Sequence, residues 1–348
     1  MNGNNKNLLS ICCLGYNHSE FLEENINSIA DINYNNIEVI IVDDGSKDNS
    51  VEILNRLVGN YSFNITIIAQ ENTGNIGRNF NNAYKKANGE FITFISLDDV
   101  YNPRVIEEQI NVIKDDKNIA FVTSSMVINI NNEGYISDTR NLLVHNVDNP
   151  LDILELEYTE LDSFYIQGTL FRKDIIDAVD AFDEDMTGDD IVLRTKVLKY
   201  MLKKPHYKCK IIEDNACFYR LHNNNIHKNT YRQIKTATEY LDKYWSERED
   251  PESLIYWIES YISNHEYDEY ITLFSLNNRA SRLLLNKKIQ KKIKRKIIRE
   301  FIYSLVSPIY KKRRVGENNR EITILNIIKI RYKKSNKIII GKHYSNKK

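Results

Sequence analysis

The sequence contains few of the residues that build disulfide scaffolds, zinc sites or flexible linkers. Among its 348 residues, 4 are Cys, 12 are Gly and 5 are Pro. No two cysteines have the C-x-x-C spacing that is typical of zinc sites and redox pairs. Low Gly and Pro content and 42% hydrophobic residues predict an ordered globular chain. A reduced, cytoplasmic protein fits this composition, and a small secreted disulfide scaffold is excluded.

Long hydrophobic runs are also missing. A helix that spans a membrane needs about 18 or more consecutive apolar residues, and no segment approaches this length. The apolar stretch LLSICCL at residues 8–14 is short and no cleavage pattern of small residues follows it. We therefore interpret it as a strand and not as a secretion signal. Any contact with a membrane is expected to be peripheral.

The charge of the chain is balanced overall but divided along its length. Residues 286–348 hold 21 Lys and Arg against 3 Glu, which is a net charge of +18. Because the whole chain has a formal net charge of zero, residues 1–285 carry −18. The two parts are expected to face different partners.

Apolar segments of strand length alternate with segments of helical period from residue 8 to about residue 130. This alternation predicts an α/β fold with a mostly parallel sheet flanked by helices. Ligands of such sheets bind at the carboxyl ends of the strands. The strand-like segments are LLSICCL, IEVIIVDD, FNITIIA, EFITFIS and IAFVTSSMVINI.

The ends of the first four apolar segments are polar and turn-forming. Because the ends of parallel strands meet at one edge of the sheet, we expect these four loops to form one pocket. Their sequences are GYNHSEF, DDGSKDNS, ENTGNIGRN and SLDDVYNP.

Two adjacent carboxylates, Asp98 and Asp99, end the fourth segment. Like charges side by side are costly unless water or a cation compensates them. Asp99 could instead cap a helix that begins near Pro103. The segment by itself leaves helix capping and cation binding open.

Taken together, these segments resemble the family 2 glycosyltransferases of the GT-A fold, a Rossmann-like fold of mostly inverting enzymes that use nucleotide sugars. The resemblance covers about the first 228 residues. It departs from the family pattern at Gly15, where Pro is usual, and at Ser96, where a further Asp often stands. It is carried by CLGYN, VIIVDDGSKDNS, ENTGNIGRN, SLDD, TGDDIVLR and FYRLHNNNIH.

The resemblance implies a set of donor-binding residues. From the residues alone, Tyr16 could be a surface aromatic, Asp43 and Asp44 could be a turn with caps, and Arg78 could form a surface ion pair. Family membership would place the nucleotide and sugar against Gly15, Tyr16, Asn17, Asp43, Asp44, Asn72, Gly74, Arg78, Asp98, Gln167, Gly168 and Arg220.

The resemblance also implies a metal site and a catalytic base. Asp99 and His222 would hold Mn²⁺ or Mg²⁺. Asp190, preceded by Asp189 at the start of a helix, would take the proton of the acceptor hydroxyl. Capping of that helix by one of the two carboxylates is the alternative, and it is compatible with catalysis. His18 and His227 are predicted to be surface or core histidines.

Three segments are predicted: a GT-A domain at residues 1–228, a helical extension at 229–285 and a basic amphipathic tail at 286–348. In KKIQKKIKRKIIREFIYSLV, apolar residues recur every four positions among Lys and Arg. This helix could pack on the enzyme's own acidic body or bind an anionic membrane surface. A nucleic-acid partner is not expected, because the tail has no recognition motif.

The sequence thus predicts a metal-dependent inverting glycosyltransferase in the cytoplasm, peripheral on the inner face of the cell membrane. It would move a hexosyl or N-acetylhexosaminyl group from a UDP-sugar to a hydroxyl of a surface polysaccharide or a lipid-linked saccharide. One alternative is a nucleotidyltransferase that makes sugar nucleotides, but its Gly-rich loop is absent after the first strand. The other is an inactive glycan-binding or assembly subunit.

Overall fold

The computed structural model describes residues 6–147, 149–222, 225, 229–306, 310–315, 319–324, 328–333 and 338–340. These residues form two compact units. The first comprises the described residues up to 257 together with 272–281, and the second comprises 258–271 together with the described residues from 282 onward.

The helices follow the predicted pattern, and every helix expected before residue 130 is present. They are α1 (Leu22–Ala30), α2 (Ser50–Leu57), α3 (Ile76–Tyr84), α4 (Pro103–Asp115), α5 (Pro150–Thr159), α6 (Lys173–Ala178), α7 (Asp190–Lys203), α8 (Thr230–Tyr244), α9 (Glu252–Asn264), α10 (Tyr267–Thr272), α11 (Asn278–Leu283) and α12 (Lys287–Val306), with short 3-10 helices at Leu143–Asn146 and Leu273–Ser275.

The strands form two sheets, and all five predicted strands are confirmed. They are β1 (Leu9–Gly15), β2 (Ile37–Asp43), β3 (Asn64–Ala69), β4 (Phe91–Ser96), β5 (Val100–Tyr101), β6 (Ile119–Ile130), β7 (Ile136–Asn141), β8 (Leu170–Arg172), β9 (Lys208–Arg220), β10 (Tyr310–Val315), β11 (Asn319–Ile324), β12 (Ile328–Lys333) and β13 (Ile338–Ile340).

The large sheet of the first unit has the strand order β3-β2-β1-β4-β8-β6-β9-β5, with β7 paired to β6. β1 to β4 run parallel, β8 is antiparallel to β4 and β6, and β9 is parallel to β6. Parallel pairing brings the last residues of β1, β2 and β4 to one edge. This edge is where the sequence predicts the pocket.

Both faces of this sheet are buried, because successive side chains of a strand point to opposite faces. In β2, Val39 and Ile41 belong to one apolar cluster, and Ile40 and Val42 belong to the other. The neighbouring Cys12 and Cys13 divide between the two clusters in the same way. All four cysteines are buried and none is part of a disulfide, so packing in the core accounts for their presence.

The second unit contains α12 and a four-stranded antiparallel sheet in the order β10-β11-β12-β13. The apolar residues that recur every four positions along α12 begin with the buried Ile289 and include the exposed Ile297 and Phe301. A residue every four positions drifts about 40° per step around a helix of 3.6 residues per turn, which moves the stripe from the packed face to solvent.

The predicted domain boundaries are not the boundaries of the compact units. Residues 229–257 belong to the first unit together with residues 1–228, and the second unit takes 258–271 with the tail. Division into a GT-A domain, a helical extension and a basic tail stays a prediction. Within the described residues, no helix is long and apolar enough to cross a membrane.

Gly168 provides a test of the packing behind the pocket. Its φ is +74°, and a Cβ built there would lie 2.8 Å from Ala216 Cβ. We expect Gly168→Ala to lower the free energy of unfolding by about 2–4 kcal/mol, because a left-handed conformation and overpacking are both unfavourable. Denaturant unfolding followed by circular dichroism measures this change.

Gly59→Ala is the matched control. Its φ is +90°, and nothing lies within 4 Å of the added Cβ. It isolates the backbone cost of about 1–2 kcal/mol. Equal destabilisation by the two variants would show that Gly168 is not tightly packed.

Candidate active site

A cavity of about 1640 Å³ opens over the carboxyl ends of β1, β2 and β4. The loops that follow these strands line it, together with the N-terminus of α7 and the end of β9. Of the residues implied by the resemblance, the cavity is lined by Gly15, Tyr16, Asn17, Asp44, Asn72, Gly74, Asp98, Asp99, Gln167, Asp189, Asp190 and His222.

The first two loops are tied together by hydrogen bonds. Asn17 has a left-handed φ of 56°, which Asn tolerates better than most residues. Its backbone N–H donates to Ser46 Oγ at 2.8 Å, and its Oδ1 accepts from the Lys47 N–H at 2.7 Å. This arrangement leaves the neighbouring Tyr16 ring 43% exposed at the cavity wall.

Asp43 and Asp44 have different surroundings, although they are neighbours at the end of β2. Asp43 accepts hydrogen bonds from the N–H and the hydroxyl of Ser46, at 2.9 and 2.5 Å. Asp44 accepts from the N–H groups of Thr73 and Gly74, at 2.8 and 3.1 Å. The first carboxylate closes its own turn, whereas the second holds the loop after β3 against the cavity.

Arg220, the last residue of β9, is fully buried beneath the Asp98–Asp99 turn. Its Nε donates to Asp98 O at 2.8 Å, its Nη1 donates to two backbone carbonyls of the β6–β7 turn, and its Nη2 pairs with Glu24. Its own backbone N–H donates to Asp99 Oδ1 at 2.9 Å. The turn is therefore positioned by a side chain that comes from the far end of the domain sequence.

Asp98 lies in a cluster with two histidines. His222 Nε2 lies 2.8 Å from Asp98 Oδ2, and His18 Nε2 lies 3.8 Å from the same oxygen. Burial by itself would raise the pKa of Asp98, but the hydrogen bond with His222 and the nearby His18 outweigh burial and lower the pKa to about 2. Asp98 is thus an anion at neutral pH.

Asp99 has the opposite electrostatic surroundings. Burial and the neighbouring Asp98 charge raise its pKa well above the ordinary value. Asp99 does not cap α4, because its Oδ1 accepts from Arg220 and the residue before that helix is Asn102. Helix capping therefore does not explain the pair of carboxylates.

Unpartnered buried oxygens make this region a suitable cation site. Within the described part of the chain, Asp98 Oδ1 and Asp99 Oδ2 are buried without a hydrogen-bond partner. A buried acceptor without a partner is unfavourable unless a ligand or water satisfies it. Carboxylate oxygens and imidazole nitrogens are both common ligands of divalent cations, so the residues present fit such an ion.

Asp190 is the first residue of α7, on the same cavity. Its backbone N–H donates to Asp189 Oδ1 at 2.6 Å, so Asp189 fills the capping position. Burial and the Asp189 charge raise the pKa of Asp190 to about 8, and Arg194 opposes this rise. Arg194 Nη1 lies 3.7 Å from Asp190 Oδ2.

Arg194 is itself held by a buried partner. Its Nε and Nη2 donate to the two carboxylate oxygens of Glu157, at 2.6 and 3.1 Å. Both side chains are almost fully buried, and Glu157 also accepts from the Ser163 hydroxyl. A bidentate pair of this kind fixes the guanidinium in one orientation beside Asp190.

Comparison with known proteins identifies the domain. Residues 10–179 match the family described as Glycosyl transferase family 2. The chain carries a family 2 glycosyltransferase domain.

Relatives of this domain support the family match. An uncharacterised glycosyltransferase of Nostoc sp. is 25% identical over 224 residues, which cover 63% of this chain and 66% of that protein. An uncharacterised glycosyltransferase of Rickettsia conorii is 38% identical over 106 residues, which cover 30% of this chain and 17% of the relative. The chain thus spans less than two thirds of the length of these relatives.

Two solved structures share the GT-A fold. Residues 1–349 of Staphylococcus aureus TarS, in complex with UDP-GlcNAc, align over 97% of this chain and all of that one, with a TM-score of 0.55 and 16% identity. A mannosyltransferase from Pyrobaculum calidifontis, in complex with GDP-Man and Mn²⁺, aligns over 86% and 87% of the two chains, with a TM-score of 0.50 and 15% identity. These similarities establish the fold of the glycosyltransferase.

Four residues that the resemblance places at the donor do not line the cavity: Asp43, Arg78, Gly168 and Arg220. Arg78 Nε instead lies 3.3 Å from Glu184 Oε2 in a half-exposed ion pair, which is the alternative considered from the sequence. Arg220 is committed to backbone carbonyls and cannot reach a diphosphate in this arrangement. Asp43 closes its turn, and Gly168 packs on Ala216.

The structure adds residues that sequence reasoning missed. His18 was predicted to be a surface or core histidine, yet it lies beside Asp98 at the cavity. The sequence feature that could have placed His18 at the cavity is its position in a polar loop directly after a strand. Arg194 follows Asp190 by four residues, a helical spacing that brings side chains together. Nothing in the local sequence pointed to Glu157, because it lies 37 residues before Arg194.

The raised pKa of Asp190 predicts a pH-dependent effect on stability. The unfolded carboxyl has an ordinary pKa of about 3.9, so its contribution to stability is present at low pH and is lost as pH rises towards about 8. Asp190→Asn has no charge to bury. We expect the variant to gain thermal stability relative to the wild type at pH 9, and to gain much less at pH 5.

Thermal unfolding at the two pH values measures this difference. Asp185→Asn is the control, since Asp185 precedes Asp190 by five residues and its side chain is 73% exposed. If Asp190→Asn and the wild type differed in thermal stability by the same amount at both pH values, the pKa of Asp190 would not be raised in the folded protein.

Proposed function

We propose that this glycosyltransferase is a metal-dependent inverting enzyme that moves a hexosyl or N-acetylhexosaminyl group from a UDP-sugar to an acceptor hydroxyl. The observation that carries the proposal is one cavity that joins an anionic carboxylate cluster at Asp98 to a carboxylate of raised pKa at Asp190. Transfer with inversion needs a leaving-group site and a separate proton acceptor. The cavity contains groups suited to each.

The donor nucleotide is proposed to lie over the first three strand ends. The exposed Tyr16 ring offers a face for the base, and Asn72 and Gly74 lie in the loop that Asp44 holds at the cavity. UDP is our choice of nucleotide, supported by the UDP-GlcNAc complex of the S. aureus structure with the same fold.

The leaving diphosphate is proposed to lie near the Asp98–Asp99 turn. Asp98, Asp99 and His222 would hold Mn²⁺ or Mg²⁺ there. Such an ion, when bound, neutralises the negative charge that develops on the leaving diphosphate. The Mn²⁺ in the structure of the P. calidifontis mannosyltransferase supports this choice of cation.

Asp190 is proposed to accept the proton of the attacking hydroxyl. Its pKa of about 8 is close to neutral pH, where a general base combines adequate basicity with a useful deprotonated fraction. Asp189 holds the helix N-terminus, and the Glu157-bound Arg194 keeps a positive charge beside the base. Asp190 would then return the proton to water after product release.

The acceptor is proposed to be a surface polysaccharide or a lipid-linked saccharide, and the enzyme to work in the cytoplasm at the inner face of the cell membrane. The exposed face of α12 supports this location. Ile297, Ile298, Phe301 and Ile302 are 45–62% exposed on a helix that carries 8 Lys and Arg against 1 Glu. Apolar side chains flanked by basic ones suit the interface of an anionic bilayer.

Replacement of Asp190 tests the proposed chemistry. We expect Asp190→Asn to lower the rate of UDP release from UDP-GlcNAc or UDP-glucose, with membrane extract as acceptor source, by about 10²- to 10⁴-fold because the proton acceptor is lost. Affinity for UDP with Mn²⁺, measured by isothermal titration, should change little. Asp185→Asn should release UDP at the wild-type rate.

Two results would contradict this function. Wild-type turnover by Asp190→Asn would exclude Asp190 as the base. Failure of the wild type to bind UDP, with or without Mn²⁺, would favour another nucleotide or an inactive glycan-binding subunit.

Replacement on α12 tests the proposed location. We expect the full chain to sediment with phosphatidylglycerol vesicles and not with phosphatidylcholine vesicles, and we expect salt to weaken this binding. Phe301→Glu should weaken the binding by about tenfold or more, since a buried aromatic contributes about 1.5–3 kcal/mol. Tyr256→Glu, at a residue 69% exposed on α9, is the matched control.

Equal loss of binding in both variants would show that added charge alone is responsible. No binding of the wild type to either kind of vesicle would contradict a membrane role for α12.

A further inference from the structure

Neither the family motifs nor hydrogen bonds explain why the His18 side chain lies where it does. It lies in the loop between β1 and α1, largely buried at the cavity. Its Nδ1 is buried without a hydrogen-bond partner among the described residues. Its Nε2 is 3.8 Å from Asp98 Oδ2, which is beyond the length of a hydrogen bond. Nε2 is therefore the ring nitrogen that faces Asp98 and could bind an ion there, and no hydrogen bond from the buried Nδ1 to a described residue holds the ring in another role.

His18 lies close to two other potential metal ligands. One ligand atom each from His18, Asp98 and His222 lies within 4.8 Å of the others. Cations with ligand distances of about 2.0–2.2 Å place their ligands roughly 3–4.4 Å apart, so small side-chain movements are sufficient. The His222 ring stacks on the Phe21 ring, and the His18 ring packs edge-on against the His222 ring. These contacts limit how far either imidazole can rotate away from Asp98.

Hydrogen bonds fix the position of the loop that carries His18. The His18 carbonyl accepts from the Phe21 N–H at 2.9 Å, and the Ser19 N–H donates to Asp48 Oδ2 at 3.1 Å. Asn17 is bonded to the loop after β2 on the other side. Bonds on both sides of His18 therefore fix the position from which its ring reaches Asp98.

We propose that His18 completes a three-residue cation site with Asp98 and His222, and that this site selects a first-row transition ion such as Mn²⁺ over Mg²⁺. The proposal builds on the proposed metal-dependent transfer and names the ligand set and the ion class. Two of the three ligands are then imidazoles. The proposed function counts Asp99 among the ligands, but Asp99 is not part of this three-residue cluster, and the inference replaces it with His18.

The selectivity follows from ligand chemistry. Mg²⁺ prefers oxygen ligands in near-ideal octahedral geometry and loses its water reluctantly. Imidazole nitrogen binds later first-row ions more strongly, and affinities rise from Mn²⁺ towards Cu²⁺. A site with two imidazoles and one carboxylate therefore disfavours Mg²⁺, whereas a site of carboxylates alone would accept it readily.

Ion binding by the full chain tests the proposal without any transferase activity. Titration of MnCl₂ or MgCl₂ into the protein, alone and with UDP, is followed by calorimetry and by the electron paramagnetic resonance of free Mn²⁺. We expect the wild type to bind Mn²⁺ more tightly than Mg²⁺. His18→Ala should weaken Mn²⁺ binding by about 10-fold or more, since even the loss of a group that only supports the ligands weakens metal binding by about 10- to 100-fold, and it should change Mg²⁺ binding little.

Two further variants keep the result interpretable. His18→Asp replaces a nitrogen ligand with an oxygen ligand, and it should move the preference towards Mg²⁺ even if His18→Ala folds poorly. His206→Ala, at an exposed histidine outside the cavity, should bind both ions as the wild type does.

The proposal is overturned if His18→Ala and His18→Asp bind Mn²⁺ as the wild type does. It is also overturned if they lose Mn²⁺ and Mg²⁺ affinity equally, or if the wild type binds no Mn²⁺ with or without UDP. A chain that binds Mn²⁺ through His18 but never releases UDP from a UDP-sugar would contradict the proposed function alone. Wild-type Mn²⁺ affinity in both His18 variants, together with normal release of UDP from a UDP-sugar, would contradict this inference alone.

Discussion

The arrangement of the cavity depends on the buried guanidinium of Arg220. A fully buried cation is unfavourable unless its donors are satisfied. Here they are met by the Asp98 carbonyl, two carbonyls of the β6–β7 turn and Glu24. Because one rigid, planar group bonds all of these at once, the end of β9, the aspartate turn and α1 are positioned relative to one another. The aspartates and His222 take their places from this arrangement.

A second buried arginine organises the other part of the cavity. Arg194 is clamped by Glu157 and lies beside Asp190, and it opposes the rise in pKa that burial causes. The carboxylates in these two parts of the cavity differ in character. Asp98 is anionic at neutral pH, whereas Asp190 has a pKa of about 8. Separate electrostatic surroundings for two carboxylates let one cavity offer both a charge-binding site and a base.

The features that could be predicted from the sequence are those that depend on residues close together in the chain. Five strands, the helix that begins at Asp190 and the polar strand ends were predicted from local pattern. Twelve of the implied site residues line the cavity, and most of them follow a parallel strand or begin a helix there. Arg78 and Arg220 do not line it, since a long side chain can turn towards any partner within reach. His18 and Glu157 depend on contacts across the fold, which local pattern does not contain.

The sequence by itself determined the α/β fold, the edge of the sheet where the cavity lies and the division of charge along the chain. Those properties follow from the periodicity of apolar residues and from composition, which are local. The tertiary structure alone decided which charged groups meet: Arg220 with the aspartate turn, Arg194 with Glu157, and His18 with Asp98 and His222. Electrostatic interactions and ligand sets depend on distances of a few ångströms, and only packing sets those distances.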